Sequence, residues 1–393
     1  MKKMILCAFT ALYTIVAIPA TLFAQQRREP ISSFDRPAPR ITDRQKTKIQ
    51  VAILLDTSGS MDGLIEQAKS RLWNIINTLS TLRFRGQQPL IEIALYEYGN
   101  DGIPAKNNYV RLVTPLTTDL DLISEKLFSL STNGGSEYCG AVIKKAAQQL
   151  EWSDNSNDIK LIYIAGNEPF TQGQISYKEA LSLSNQKQIT TNTIFCGDYN
   201  EGINTMWKDG ASKGNGKYFN INYNEKVRFI ETPYDDQISV YNDKLNSTYV
   251  TYGNSGATKK AVQMRQDYNA ESLGKANKVE RSVSKSKAAY SNQSWDLVDK
   301  MNTDQSALKS LDKNYLPTEI KDKSEAEIKK YVQAKAEERT AYQTKIKVLA
   351  KQRQDFIDQK MKADKPDADD LGSAINNSII ELAGKKGYVI DKN

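Results

Sequence analysis

Short apolar runs alternate with amphipathic segments between residue 48 and about residue 222. The run "KIQVAILLD" (48–56) predicts a buried strand, and "GLIEQAKSRLWNIINTL" (63–79) places its apolar residues on one helical face. The alternation continues through "LIEIALYEYG", "DLDLISEKLFSLS", "EYCGAVIKKAAQQLEW", "IKLIYIAG", "SYKEALSLSNQK", "ITTNTIFCGD", "INTMWKDGASKG" and "GKYFNI". Strands that alternate with helices predict an α/β fold, in which a doubly wound, mostly parallel sheet carries helices on both faces.

Two local features add detail to this pattern. The segment "YVRLVTPL" (109–116) follows the strand "LIEIALYEYG" closely and is predicted to be its antiparallel neighbour. Thr118 stands just before the next amphipathic segment and is predicted to cap that helix.

The pattern changes after the last of these strands. A helix is predicted to begin after Thr232, with Asp235 placed for a variant of the capping box. Residues 324–363 form one long helical pattern, and a shorter helix over 371–387 ends on a glycine. These segments predict an α-helical C-terminal region over 223–393, folded as a hairpin or a small bundle.

The long helix carries a narrow apolar stripe. Its residues are Ile328, Val332, Tyr342, Ile346, Leu349 and Phe356, with Tyr331 and Ile357 beside them. Lys335, Arg339 and Arg353 interrupt the stripe, which weakens a coiled-coil seam. Two interpretations stay open: the stripe packs within the chain, or it binds a partner as a coiled coil.

The N-terminus is typical of a targeting segment. Two lysines precede the stretch "MILCAFTALYTIVAIPATLFA", which predicts a signal peptide over 1–24 that is cleaved after Ala24. The alternative is that this stretch stays in the inner membrane as an anchor. Residues 25–47 are polar and contain prolines, which predicts an extended linker. No later segment is apolar enough to span a bilayer, so we expect an exported protein of the periplasm or cell envelope.

The absence of histidine excludes several kinds of site. It removes the commonest general base, the Ser-His and Cys-His nucleophile pairs, and histidine metal ligands. The net charge is +7, but the chain has 54 basic and 47 acidic residues, which indicates a solvated surface. The basic run "KANKVERSVSKSK" could contact anionic envelope polymers, but it lacks the aromatic residues that stack on bases, so nucleic acid is not an expected partner.

Two cysteines, Cys139 and Cys196, would remain after signal-peptide removal. Both are predicted to lie at the carboxyl edge of the sheet, and export would permit a disulfide between them. The alternative is two separate small buried residues, and the sequence leaves both open.

A cluster of oxygen-bearing side chains follows the first predicted strand. Asp56, Ser58 and Ser60 alternate along a tight loop, and Gly59 permits the turn. Ligands of a doubly wound sheet bind at the carboxyl ends of its strands, where this loop lies. One carboxylate with several hydroxyls suits a hard divalent cation, and Mg²⁺ fits best. The alternative is that these side chains only cap the following helix.

The segment "DTSGSM" resembles the D-x-S-x-S motif of the von Willebrand factor type A domain, and the order of strands and helices fits that family over 48–222. The resemblance implies a metal-ion-dependent adhesion site, where two serines and an aspartate hold Mg²⁺ or Mn²⁺. A threonine from a second loop and an aspartate from a third complete the site, and a partner's carboxylate commonly takes the last position. The stretch "SWDLVD" in the helical region is similar to exported bacterial proteins with this domain arrangement, which implies no activity.

The two other loops depart from the family pattern. "STNGGSEYCG" resembles the second loop, with Ser136 in place of threonine, so a hydroxyl is kept. In the third loop the residue that matches the aspartate is Ala165, which makes the adhesion site degenerate. Asn167, Glu168 and Glu137 are nearby and are candidates to replace the missing oxygen, although none is equivalent to it in register. Because affinity for hard cations depends on ligand charge, we expect a weaker site or one that needs a partner's carboxylate.

The sequence therefore predicts a non-enzymatic protein of the bacterial envelope. Its type A domain would bind an acidic group on a protein partner through a divalent cation held by Asp56, Ser58, Ser60 and Ser136. The alternative is a metal-free structural or scaffold protein that assembles through its long C-terminal helices. A thiol enzyme is disfavoured, since no histidine is present and neither cysteine lies in a C-x-x-C pair.

Overall fold

A computed structural model describes residues 46–221, 230–363 and 371–391. The predicted signal peptide lies outside these residues, as does the predicted linker apart from its last two positions. Among the helices that are described, none is both long and apolar enough to cross a membrane.

A mostly parallel sheet forms the centre of the domain. The strands of the described residues are β1 (Lys48–Asp56), β2 (Leu82–Phe84), β3 (Leu90–Tyr98), β4 (Val110–Thr117), β5 (Ile159–Gly166), β6 (Thr190–Cys196), β7 (Asn215–Ile221) and β8 (Tyr388–Ile390). Six of these form the sheet in the order β4-β3-β1-β5-β6-β7, where only the β3–β4 pair is antiparallel. The predicted doubly wound sheet and the antiparallel position of β4 are confirmed.

Helices cover both faces of this sheet and build the C-terminal region. Those of the described residues are α1 (Asp62–Leu79), α2 (Leu120–Phe128), α3 (Cys139–Gln149), α4 (Tyr177–Gln186), α5 (Tyr199–Asn204), α6 (Trp207–Lys213), α7 (Asp235–Asn246), α8 (Gly256–Leu273), α9 (Lys275–Lys285), α10 (Leu297–Thr303), α11 (Glu325–Ala363) and α12 (Leu371–Lys385). The long helix and the closing helix of the C-terminal region occur where the sequence predicts them.

Two helix predictions are wrong in detail. Asp119, rather than Thr118, caps α2, because its carboxylate accepts a hydrogen bond from the Leu122 amide at 2.9 Å. The helix predicted over 203–214 is interrupted, since Met206 has a φ of 73° and separates α5 from α6.

The sheet separates two hydrophobic cores, and alternate residues of β1 serve each of them. Val51 and Leu55 belong to the core beneath α1 and α2, whereas Ala52 and Leu54 belong to the core beneath α3 and α4. Because both faces are buried, β1 is a continuous apolar run rather than an alternating one.

The C-terminal helices extend the core beneath α1. Val279 of α9, Ile346 of α11 and Ile379 of α12 belong to the same core cluster as Trp73 of α1. The domain therefore does not close its own core on this side, and the helical region completes it.

The apolar stripe of α11 packs within the chain. Its buried members are Ile328, Val332, Ile346 and Leu349. The arginines that interrupt the stripe are buried too: Arg339 donates to Asp296 at 2.6 Å, and Arg353 donates to Glu280 at 2.7 Å. The charges that weaken a coiled-coil seam therefore anchor this helix to its neighbours.

The basic run "KANKVERSVSKSK" forms α9 and the two residues after it, and two of its basic side chains face inward rather than toward an anionic polymer. Arg281 and Lys285 are almost fully buried. Arg281 donates to Asp121 of α2 at 2.8 Å and to Asp267 of α8 at 2.6 Å, and its guanidinium lies 4.7 Å from the centre of the Trp73 ring. The run thus joins the helical region to the domain.

The described chain ends on the domain as well. The strand β8 pairs antiparallel with β2, which directly follows α1. The rings of Tyr388 and Phe84 lie 4.9 Å apart, and Asp391 forms an ion pair with Arg83 at 2.9 Å. Strands of three residues are too short to give a periodic signal, so the sequence does not predict this pair.

Candidate metal centre

The first site loop follows β1, which lies between β3 and β5 in the sheet. The Ser58 amide donates to Asp56 Oδ1 at 2.8 Å, and the hydroxyls of Ser58 and Ser60 are 3.4 Å apart. The residue that precedes α1 is Met61, and no side chain caps that helix. The three oxygen-bearing side chains converge on each other, so the capping interpretation does not describe them.

Asp56 is completely buried, and one of its carboxylate oxygens, Oδ2, has no hydrogen-bond partner. Burial raises the pKa of this carboxyl group to about 7, although hydrogen bonds from Ser58 oppose the shift. The negative charge of Glu168 raises the pKa further. A buried carboxylate oxygen without a partner is costly, and a bound cation would remove that cost.

The second loop lies against the first and against the end of β3. The Asn133 amide donates to the Thr57 carbonyl at 3.0 Å. Gly135 lies so near the Gly99 carbonyl that a Cβ atom would stand 2.2 Å from its oxygen, which only glycine permits. Ser136 follows on this loop and is partly exposed. The predicted second loop is thus adjacent to the first.

Glu137 is the buried carboxylate of the second loop. Its side chain is 6% exposed, and its Oε2 atom has no hydrogen-bond partner. A Cβ atom added to Gly99 would stand 2.7 Å from Asp56 Oδ1 and 2.7 Å from Glu137 Cγ. Glu137 and Asp56 therefore lie on either side of the same small space.

The third loop brings an amide rather than a carboxylate. Ala165 is buried in β5, and its carbonyl accepts a hydrogen bond from the Tyr98 hydroxyl at 3.0 Å. Asn167 Nδ2 donates to Ser60 Oγ at 3.2 Å, while Asn167 Oδ1 is buried without a partner. Glu168 follows, with its carbonyl held by the Trp207 indole at 2.8 Å. Of the two candidate replacements on this loop, Asn167 is the one that contacts the serines.

The two cysteines are buried free thiols and form no disulfide. Cys139 lies 3.8 Å from the Tyr98 hydroxyl, measured from its sulfur. Burial raises the pKa of both thiols well above the ordinary value, and the charge of Asp56 raises them further. A thiol kept protonated is a poor nucleophile, which disfavours a thiol active site at these residues.

The donor set suits a hard cation. Within the described residues no group of three His, Cys, Asp or Glu side chains is placed to hold a metal ion, so two carboxylates, the hydroxyls and an amide would have to share it. Each of the three loops leaves one buried oxygen without a hydrogen-bond partner: Asp56 Oδ2, Glu137 Oε2 and Asn167 Oδ1. Oxygen ligands of this kind fit Mg²⁺ or Mn²⁺. The sequence offers Glu137 as one of three candidates to replace the missing oxygen, but it does not predict that Glu137 is buried beside Gly99 and Asp56.

Comparison with solved structures gives several distant likenesses. BatB from Bacteroides thetaiotaomicron is 17% identical with a TM-score of 0.34, over 44% of this chain and 90% of that chain. An aerotolerance-related membrane protein from Bacteroides fragilis is 17% identical with a TM-score of 0.31, over 56% and 99%. Proximal thread matrix protein 1 of the mussel byssus, with a zinc-occupied MIDAS motif, is 13% identical with a TM-score of 0.34, over 46% and 43%. Such scores carry no argument about function.

Comparison with curated proteins finds no match. The family model of the von Willebrand factor type A domain matches residues 50–232. That range contains all but the first two residues of β1 and the three loops described above. Domains of this family are generally protein-interaction modules rather than enzymes. Residues 50–232 of this chain therefore match the von Willebrand factor type A domain, and the described part of that range has its fold.

Proposed function

We propose that this protein is a non-enzymatic, protein-binding protein of the bacterial envelope. Its type A domain binds Mg²⁺ or Mn²⁺ and, through the ion, an acidic group on a protein partner. Asp56, Ser58, Ser60 and Ser136 hold the ion, and the third loop contributes through Asn167 rather than Glu168.

One observation carries this proposal: each of the three rim loops ends in a buried oxygen without a hydrogen-bond partner. Water or a bound cation would satisfy these atoms, and the negative charge of the two carboxylates favours the cation. When bound, the ion supplies positive charge that a partner's carboxylate can bind. The chain's own residues orient the ligands: the Ser58 amide fixes Asp56, and Asn167 fixes Ser60.

The proposed location rests on the N-terminal segment. Its lysines and apolar stretch support export to the periplasm or cell envelope, with an uncleaved inner-membrane anchor as the alternative.

Thermal unfolding with and without cation tests the metal site. Millimolar Mg²⁺ or Mn²⁺ should raise the melting temperature of the chelator-treated protein, because a ligand at about 100 times its Kd stabilises by about 2.7 kcal/mol. Asp56→Asn should lose this increase, since it removes the charge but keeps the oxygen that accepts from the Ser58 amide. Asp355→Asn, which alters an exposed carboxylate of α11, should keep it.

A wild-type melting temperature that neither cation moves would overturn the metal site. The scaffold alternative makes a different prediction, since a scaffold would remain a higher oligomer in chelator when its mass is measured in solution. A monomer under those conditions would exclude it.

A further inference from the structure

We propose that Glu137 supplies the second carboxylate of the cation site, in place of the aspartate that is missing at Ala165. The inference rests on the proposed function, because it assigns a ligand of the same site. It changes which loop carries the charge: the second loop provides a carboxylate, and the third provides only the amide of Asn167.

The first observation is that Glu137 is buried without a positively charged partner among the described residues. A carboxylate that is 6% exposed is normally paired with a cation or with several donors, because burying the unpaired charge costs several kcal/mol. Among the described residues, no lysine or arginine forms an ion pair with Glu137 or Asp56. Two uncompensated carboxylates therefore lie together at the rim, which indicates a cationic ligand.

The second observation is that Asp56 and Glu137 both pack closely against Gly99. Gly99 has a φ of 79°, and an added Cβ atom would stand only 2.7 Å from Asp56 Oδ1 and 2.7 Å from Glu137 Cγ, which is too close for both side chains to stay in place. Any larger residue would displace one or both carboxyl groups. The end of β3 is thus shaped so that Asp56 and Glu137 can approach the same point.

The third observation is that the backbone of Glu137 is fixed. Its amide donates to Gln172 Oε1 at 2.6 Å, and its carbonyl accepts from the Cys139 amide at 3.2 Å. Gly173, which follows Gln172, lies close against the Tyr138 ring. These contacts join the second loop to the third and hold Glu137 in place without using its carboxylate.

The consequence concerns charge. With Asp56 alone, a divalent cation would keep an uncompensated charge and would depend on a partner's carboxylate. With Glu137 as a second ligand, two carboxylates neutralise the ion, so the domain binds it before any partner arrives. The partner then contacts a site that is already assembled.

Direct measurement of Mn²⁺ binding tests the assignment. The electron paramagnetic resonance signal of free Mn²⁺ is titrated with the full chain, with Glu137→Gln and with Glu168→Gln. Glu137→Gln should bind Mn²⁺ at least about 100-fold more weakly than the wild type. Removal of a group that only orients a ligand typically weakens metal binding by about 10- to 100-fold, so loss of a ligand should reach or exceed that range. Glu168→Gln removes the same charge from the rim without removing a ligand, and solvent screening should limit its effect to about fivefold.

The melting temperature in chelator gives a second readout. If Glu137 is a ligand, Glu137→Gln should melt at or above the wild-type temperature without cation, because it removes a buried like charge beside Asp56. A structural role predicts a lower melting temperature instead.

Three results would overturn the proposal. Equal Mn²⁺ affinities for Glu137→Gln and Glu168→Gln would exclude Glu137 as a ligand and leave the metal site intact. A destabilised Glu137→Gln protein in chelator would make its role structural. A wild-type protein that does not bind Mn²⁺ would overturn the proposed function together with this assignment.

Discussion

Gly99 is the residue on which the candidate site depends most and which no motif marks. It follows β3 directly and has a positive φ, and a side chain added there would point toward Asp56 and Glu137. A glycine here serves two needs at once, since other residues rarely adopt this backbone conformation and would fill the space between Asp56 and Glu137.

Replacement of Gly99 by alanine should therefore disturb both stability and cation binding. The backbone conformation alone should cost about 1–2 kcal/mol of unfolding free energy, and the added methyl group should also abolish the Mg²⁺-dependent rise in melting temperature. Gly86→Ala is the matched control, because Gly86 has a φ of 78° and no atom within 4 Å of an added Cβ. Urea unfolding and thermal shifts of the two variants measure the difference. A Gly99→Ala protein that responds to Mg²⁺ like Gly86→Ala would contradict the geometry of this site.

At this scale the sequence predicts the local part of the site. Asp56, Ser58 and Ser60 lie on one loop, so their convergence can be inferred from their spacing and from the strand that precedes them. The burial of Glu137 cannot be inferred in this way, because it depends on how the second loop lies over Gly99. Ser136 and Glu168 remain predictions, since their roles depend on an ion.

At the scale of elements, buried charges decide how the helices pack. Lys285 of α9 is completely buried and donates to Asp267 of α8 at 2.8 Å, and Arg281 donates to the same carboxylate. Burial raises the pKa of Asp267, but the charges of Lys285 and Arg281 outweigh that effect and hold the pKa well below its ordinary value. Asp267 therefore stabilises the protein while it is ionised.

Asp267→Asn should lower the unfolding free energy at neutral pH by about 3–5 kcal/mol, because it leaves buried cations without their carboxylate. The contribution of Asp267 is fully present above the unfolded-state pKa, near pH 4, and is lost as the pH falls toward the lower folded-state pKa. Wild-type stability should thus decrease below about pH 4 more steeply than that of the variant. Urea unfolding at several pH values measures both effects.

Asp355→Asn, on the exposed surface of α11, is the control and should match the wild type in both respects. Equal pH profiles for Asp267→Asn and the wild type would show that the buried pair does not contribute to acid stability.

The same charges explain why the helical region is harder to predict than the sheet. Apolar periodicity locates β1 and α11 well, because their buried residues are apolar. It fails for α9, where lysine and arginine indicate a solvated surface although Arg281 and Lys285 are buried. A charged residue can be predicted to face inward only when its partners are known. The partners of Arg281 and Lys285 lie on other helices.

At the scale of the whole molecule, the domain and the helical region share one core. The helix α1 packs against α9 and α12 as well as against the sheet, and Trp73 of α1 contacts Arg281 of α9. The boundary that the family model places at residue 232 is thus a boundary of sequence similarity, while the packing continues across it.

A fragment that contains only residues 46–222 should accordingly lack a stable native fold. Without the C-terminal helices, the outer face of α1 would expose large apolar side chains to water, which favours unfolding or aggregation. Circular dichroism melting and size-exclusion chromatography of the fragment, compared with residues 46–393, check this. A fragment that is monomeric and melts cooperatively near the temperature of the longer chain would show that the domain is independent.

The pairing of β8 with β2 has a consequence for the order of folding. Leu82 pairs with Ile390, so nearly the whole described chain lies between the two partners. Contacts between such distant segments form late and slow the overall rate, because the chain must first close a long loop. During synthesis, α1 and β2 emerge long before the residues that complete their packing. Tyr388–Ile390 thus cover β2 only late in folding, and a chain that lacks this strand would keep an unpaired edge that invites association.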